Sequence, residues 1–333
     1  MKERNISLDA MKGFVILLVM LGHIINLNKL NDPYIYTIIE AVQMPAFIMI
    51  SGYIGGFRAP VDNFLQWKNI MCKRGKSYVV PFFMWLFLKQ WDNLAEGFVN
   101  TIFRLDRGLW FLMTLFILNG MLYTAQLLSK GFRNRSKLYA FFGFCMIFCV
   151  LSIILVLQLA FHSTFLTPEL TLRYIPPFII GYFVSAYKEE LIRLISNRFQ
   201  FVLFIFSAVF FITACWKYHI SSDTYFLYVM LIEIAKGLLG CYVIFYLFLK
   251  SKKNVIKEKL AWLGKYTLEI YTVHFHFATI FNQGRIDFGL YSWKGILFVI
   301  ATFCAMSLIS AALIYMVKQV PVMNQLMFGK ATK

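Results

Sequence analysis

The sequence predicts an all-α integral membrane protein, a bundle of about ten transmembrane helices with N-terminus and C-terminus in the cytoplasm. Three observations lead there. Of 333 residues, 60% are hydrophobic and only 15% are charged, against about 25% charged in soluble globular chains. Apolar runs close to the ~20 residues a helix needs to cross a bilayer recur along the chain. The basic residues, which give a formal charge of +17, gather in alternate connections between those runs. That distribution writes topology in a membrane and argues against nucleic acid as the partner.

The expected spans lie at residues 13–28, 38–57, 78–95, 108–128, 138–161, 171–187, 199–217, 225–249, 260–281 and 295–317. One set of connections holds Lys2, Arg4 and Lys12, then Arg58, Lys68, Lys73, Arg74 and Lys76, then Lys130, Arg133, Arg135 and Lys137. It continues with Lys188, Arg193 and Arg198, the group Lys250, Lys252, Lys253, Lys257 and Lys259, and finally Lys318, Lys330 and Lys333. The opposite set holds Lys29, Lys89, Arg104, Arg107, Arg173, Lys217, Arg285 and Lys294. The positive-inside rule puts the larger set in the cytoplasm, which returns both termini there and requires an even number of spans. The third run is the least regular, because Lys89, Gln90, Asp92 and Asn93 crowd its far end.

No linker divides the chain, so residues 1–333 are expected to form a single transmembrane domain without a separate soluble domain. No internal repeat of the kind that builds many transporters is visible. The six cysteines form no CxxC pair and mostly fall inside apolar runs, as small buried hydrophobes do, so neither a disulfide framework nor a metal site is expected. The first run is not followed by a small-x-small cleavage pattern and is expected to stay as a helix.

Chemistry must then sit on the helices. The stretch "KGFVILLVMLGH" opens on Lys12 and closes on His23. At about 100° and 1.5 Å per residue the two share a face, roughly 16 Å apart along the axis, with Asp9 one turn below Lys12. That stripe suits a long ligand with an anionic end at the surface and a reactive end inside. Equally, it describes a snorkelling lysine and a histidine bonded to a neighbouring helix. In "MCKRGKSYVVPFF", Lys73, Arg74 and Lys76 precede the third span, and Lys73 and Lys76 face together on a helix. Three cations on one turn can hold phosphates, or simply set topology. Glu233 and Lys236 are three apart in the eighth span and read as a structural ion pair; Glu40 and Gln43 are polar positions of the second. In "LGKYTLEIYTVHFHF", helical spacing puts Lys265, Glu269 and His276 near one face and His274 on another. Two histidines and a glutamate are costly in lipid, which favours a functional role for that segment.

These stretches together resemble the membrane acyltransferase-3 family. "RNISLDAMKGFVILLVMLGH" is similar to its first span, "MPAFIMISGY" to its second and "KRGKSYVVPF" to its basic pair before a proline. "LWFLMTLF", "RYIPPFIIGY" and "LGKYTLEIYTVH" are similar to its later signatures. The matches fall in the expected order from residue 4 to residue 274. The resemblance implies acyl transfer, often of acetyl from acetyl-CoA, to a hydroxyl of a cell-surface glycan or its lipid-linked precursor. It implies His23 as the essential histidine, Lys12 as its basic partner, and Lys73 and Lys76 as the basic pair. That pair is commonly Arg-x-x-Arg, so two lysines are a departure: they keep the charge and lose the bidentate fork, which Arg74 can supply. Many members carry a histidine where this chain has Gln43.

The expected function is therefore an O-acyltransferase of the inner (plasma) membrane, with acyl-CoA and a glycan or lipid-linked glycan as partners and no permanently bound cofactor. His23 acts as general base, with an acyl-histidine intermediate as the competing version. Lys12, Lys73, Arg74 and Lys76 bind acyl-CoA, and Asp9, Glu269, His274 and His276 are supporting candidates. The rival expectation is a transporter or flippase for an anionic glycan or lipid-linked sugar, which would share the spans and the basic faces.

Overall fold

The structure, a computed structural model, describes residues 5–30, 33–105, 109–133, 137–217, 226–282 and 288–330. Lys2, Arg4, Arg107, Arg135, Arg285 and Lys333 of the topology pattern lie outside the described residues. Among the described residues every regular element is helical. In chain order these are α1 (Ile6–Leu27), α2 (Pro33–Gly56), α3 (Phe64–Arg74), a π-helical turn (Gly75–Val79), α4 (Val80–Lys89) and α5 (Leu94–Phe103). There follow α6 (Trp110–Leu128), α7 (Lys130–Arg133), α8 (Lys137–Ala160), α9 (Pro168–Ala186), α10 (Lys188–Leu194), α11 (Asn197–Lys217) and α12 (Phe226–Lys250). The chain closes with α13 (Val255–Leu263), α14 (Thr267–His274), a 3₁₀ turn (Phe275–Phe277), α15 (Trp293–Gln319) and α16 (Pro321–Phe328).

Among the described residues seven helices are long and apolar enough to cross a membrane, namely α1, α2, α6, α8, α11, α12 and α15. They coincide with seven of the ten expected runs. The other three runs each differ for a physical reason. The third belongs to a longer helix that starts at Phe64, passes through the π turn and stops at Lys89; its first half is too polar for lipid, and the Gln90–Asn93 crowding ends it. The sixth run is α9, whose 19 residues carry Glu169, Arg173 and the Pro176-Pro177 pair. The ninth is not one helix: α13 ends at the C-cap Gly264, the chain turns through Lys265 and Tyr266, and α14 starts at Thr267. The spacing from Lys265 to Glu269 crosses that break, and His276 lies past the end of α14 in the 3₁₀ turn, so the expected shared face of Lys265, Glu269 and His276 does not form. Lys265 lies in the turn and is exposed, His276 lies in the 3₁₀ turn and is exposed, and Glu269 is buried on α14.

The chain divides into two compact units, residues 1–56 with 177–317 and residues 57–176 with 318–333. In the first, α1 begins where the Asn5 side chain accepts from the backbone N–H of Ser7 and Leu8. It then crosses α13 with backbones touching. A Cβ on Gly13 would overlap the carbonyl oxygen of Leu260, and one on Gly264 would overlap that of Asp9. α2 meets the end of α9 in the same manner, Gly52 against Phe178 and Gly181 against Met49. Small residues at such crossings are how helices pack when lipid removes the hydrophobic drive between them. α12 carries the Glu233–Lys236 pair, both residues buried and ion-paired with each other as their spacing suggests.

In the second unit the packing gathers around the π turn. Gly329, at φ 62°, caps α16 in the left-handed region. Its carbonyl accepts from Ser77 Oγ at 3.5 Å, and Met327 O accepts from Trp85 Nε1 at 3.0 Å. These contacts lay the C-terminal helix α16 against the π turn and α4. Near by in sequence, Arg133 donates to Val61 O and to Asp62 Oδ1, each at 2.8 Å, and Trp67 Nε1 donates to Thr124 Oγ1 at 3.1 Å.

The glycine crossing gives a direct test. Gly13→Ala is expected to lower stability by about 1–3 kcal/mol, because the new methyl meets a backbone carbonyl that cannot rotate away. Gly131→Ala, where nothing lies within 4 Å of the new atom, is expected to be neutral or slightly stabilising. Thermal midpoints of the purified variants in detergent separate the two.

Candidate active site

The candidate residues fall into two groups, one in each compact unit. The first is built on α1 and α14. α1 is unbroken from Ile6 to Leu27, so Lys12 and His23 keep the roughly 16 Å axial separation of the ladder. At the lower end Lys12 Nζ donates to Asp9 Oδ1 at 3.2 Å, with Asp9 buried and Lys12 half-buried. Asp9 thus pairs with Lys12.

His23 stands at the upper end. Its ring lies 5.2 Å, centroid to centroid, from that of His274, tilted by 39°. Phe275 meets it edge-on, also at 5.2 Å and at 89°. The structure therefore brings His23 and His274 together, two residues that the sequence reading had not joined. After the turn at Gly264, α14 follows α1: His274 meets His23, and Ala278 O accepts from Asn28 Nδ2 at 2.8 Å. Asn28 also donates to Ile24 O at 2.8 Å, so it ties the end of α1 to the segment beyond α14. On the side of α2, Gln43 packs against Gly22 and its Oε1 is buried without a hydrogen-bond partner among the described residues.

His274 is fully buried. Its Nδ1 lies 2.7 Å from the carbonyl oxygen of Ile270. A carbonyl only accepts, so Nδ1 carries the proton and, in the neutral ring, Nε2 carries the lone pair. Glu269 is buried on the same short helix, and its carbonyl accepts from Thr272 Oγ1 at 2.9 Å. His276 is exposed and edge-on to Phe275 at 6.2 Å.

The second group surrounds the π turn. Lys73 and Lys76 are exposed, and Arg74 is half-buried. Arg74 Nη1 donates to Tyr78 Oη at 3.0 Å and Nη2 to Tyr123 Oη at 3.4 Å, and the guanidinium carbon sits 5.6 Å above the Tyr78 ring. A π turn holds more residues than an α turn, so Lys73 and Lys76, which flank its start, stand further apart around the axis than in a uniform α-helix. Tyr78 and Tyr123 were not foreseen. Tyr78 lies four residues after Arg74, a spacing that signals a helical contact, whereas nothing in the apolar run around Tyr123 marks it.

A known protein family, described as an acyltransferase domain, matches residues 5–315. The chain belongs to the membrane acyltransferase-3 family. No curated protein and no solved structure matches it. With seven long apolar helices among the described residues, the acyltransferase is a multi-pass membrane protein. That membership speaks against the transporter or flippase reading. The matched region contains the Asp9–Lys12 pair, the two histidines and the basic group, so each candidate belongs to the acyltransferase domain itself.

Arg74 supplies the test of the second group. Arg74→Lys keeps the charge but cannot reach two phenol oxygens at once. We expect a loss of about 0.5–1.5 kcal/mol of stability. A Tyr123→Phe variant should lose a similar amount, and the double variant should lose less than the sum of the two. Thermal unfolding of the four proteins as a double-mutant cycle checks it.

Proposed function

We propose that this acyltransferase moves an acyl group, acetyl by preference, from acyl-CoA to a hydroxyl of a surface polysaccharide or its lipid-linked precursor, in the inner (plasma) membrane. The observation that carries this reading is His23, an imidazole eleven residues along an unbroken apolar helix from an ion-paired lysine. A neutral imidazole can take the proton of a sugar hydroxyl as its oxygen attacks the thioester carbonyl, and can return that proton to the leaving thiolate. Binding roles go to cations. Lys73 and Lys76, exposed beside Arg74, are assigned to the phosphates of the donor, with Lys12 as a further cationic contact. Arg74 is held by two tyrosines and is assigned to shaping the basic turn as much as to contacting phosphate. No permanently bound cofactor is required by this chemistry.

His23→Ala is expected to reduce acyl transfer by about 10²–10⁴-fold while the protein still inserts; retention of even a tenth of wild-type turnover by the purified variant sinks the general-base assignment. For the basic group, Lys73→Ala with Lys76→Ala should weaken acyl-CoA binding more than acceptor binding, by about 1.5–3 kcal/mol for each lysine–phosphate hydrogen bond removed. Titration of acetyl-CoA onto the double variant decides this, and an unchanged affinity returns the two lysines to a topology signal. Both expectations require the basic group and the C-terminus to face the cytoplasm, where the donor is made. Single cysteines at Asn69 and Asn254, on a cysteine-free background, should react with an impermeant thiol reagent only after that side is opened.

A further inference from the structure

We propose that His274 is the positioning partner of His23: its Nε2 accepts the N–H of the His23 imidazole and so leaves the opposite ring nitrogen of His23 free to act as base. The inference rests on the general-base reading of His23 and adds the residue that would orient it.

Three observations carry it. First, His274 is fully buried and its Nε2 has no hydrogen-bond partner among the described residues. A buried acceptor left without a donor is costly, and this one sits in a ring directly beside another imidazole. Second, the tautomer is set by the fold. The Ile270 carbonyl holds the Nδ1 proton at 2.7 Å, so the nitrogen with the lone pair is the one away from the α14 backbone. Third, the neighbouring ring is His23, with centroids 5.2 Å apart, and Phe275 edges the same imidazole. A histidine that only filled space here would do so as well as phenylalanine, without the unpartnered nitrogen.

The arrangement is a chain of acceptors: the Ile270 carbonyl holds His274, and His274 Nε2 is placed to hold His23. In the reaction the acceptor oxygen forms a bond to the thioester carbonyl carbon and the carbon–sulfur bond breaks. The hydroxyl proton passes to the free nitrogen of His23 and then to the departing thiolate, giving the thiol; nothing is oxidised or reduced. While His23 carries that extra proton it is an imidazolium in an apolar surround, and the His274 lone pair then accepts from a cationic donor, the stronger kind of hydrogen bond. The same logic orients the base in nucleophile–base–orienter triads, where the third group fixes tautomer and ring direction.

The test uses the full chain in membrane vesicles with radiolabelled acetyl-CoA and the cell's own surface glycan, reading alkali-labile label in the glycan. His274→Phe keeps a ring and removes the acceptor. It is expected to lower kcat by about 100-fold with the KM for acetyl-CoA unchanged within about twofold. His274→Gln puts an amide oxygen near the position of Nε2 and is expected to recover at least about tenfold of that loss. A phenylalanine variant within about threefold of wild type overturns the proposal. So does a glutamine variant no better than phenylalanine, or a loss that follows only the amount of protein in the membrane at unchanged turnover per molecule. His23→Ala is run alongside: if it stays active, the general-base reading itself fails, whereas a dead His23→Ala beside an active His274→Phe removes only the pairing.

Discussion

The contact on which the His23 site depends is a crossing of backbones. α1 and α13 touch at Gly13 and Gly264 so closely that a single methyl on either would meet a carbonyl of the other helix. Leu260 and Gly264 both lie beside Gly13, and Gly264 also lies beside Asp9. After the turn at Gly264–Tyr266, α14 runs along α1. Ten residues after Gly264 the chain has reached His274, and ten residues after Gly13 α1 has reached His23. The meeting of the two rings follows from the crossing. The Asn28 bond to Ala278 O fixes the register beyond it.

Polar groups buried in an apolar bundle are costly, and this chain meets the cost mostly within single helices. Asp9 with Lys12 and Glu233 with Lys236 are partners three residues apart on one helix. Arg74 with Tyr78 is a pair four apart. Such pairs are satisfied as soon as the helix forms, before any packing. His274 is arranged differently: one nitrogen is satisfied by its own helix through Ile270, and the other has no hydrogen-bond partner among the described residues. The ring beside it is that of His23.

The π turn at Gly75–Val79 plays the comparable part in the other unit. It interrupts the helix at the basic group, points Arg74 at two tyrosine hydroxyls and leaves Lys73 and Lys76 exposed. π turns inside α-helices occur often at functional positions, because the extra residue per turn costs stability that packing alone has no reason to spend. Its docking with Gly329 and Met327 of the C-terminal segment makes the last helix part of that environment.

The sequence by itself determined the helical membrane class, seven of the spans, the Glu233–Lys236 ion pair, the stripe from Asp9 to His23, and the family. Each of these rests on hydropathy or on spacing along one continuous helix, and both are properties of neighbours in the chain. It did not determine the break in the ninth run, because Gly264 in an apolar stretch reads as readily as a packing glycine as a stop; Lys265 and His276 were accordingly grouped with Glu269 on a face that does not form. Nor did it determine the contact between the His23 and His274 rings, about 250 residues apart in sequence, the tyrosine clasp on Arg74, or the π turn itself. Those belong to the tertiary structure alone. They depend on which helix backbones approach closely enough to touch, and that is set by a few glycines meeting carbonyls far off in sequence, a relation that no periodicity along a single helix encodes.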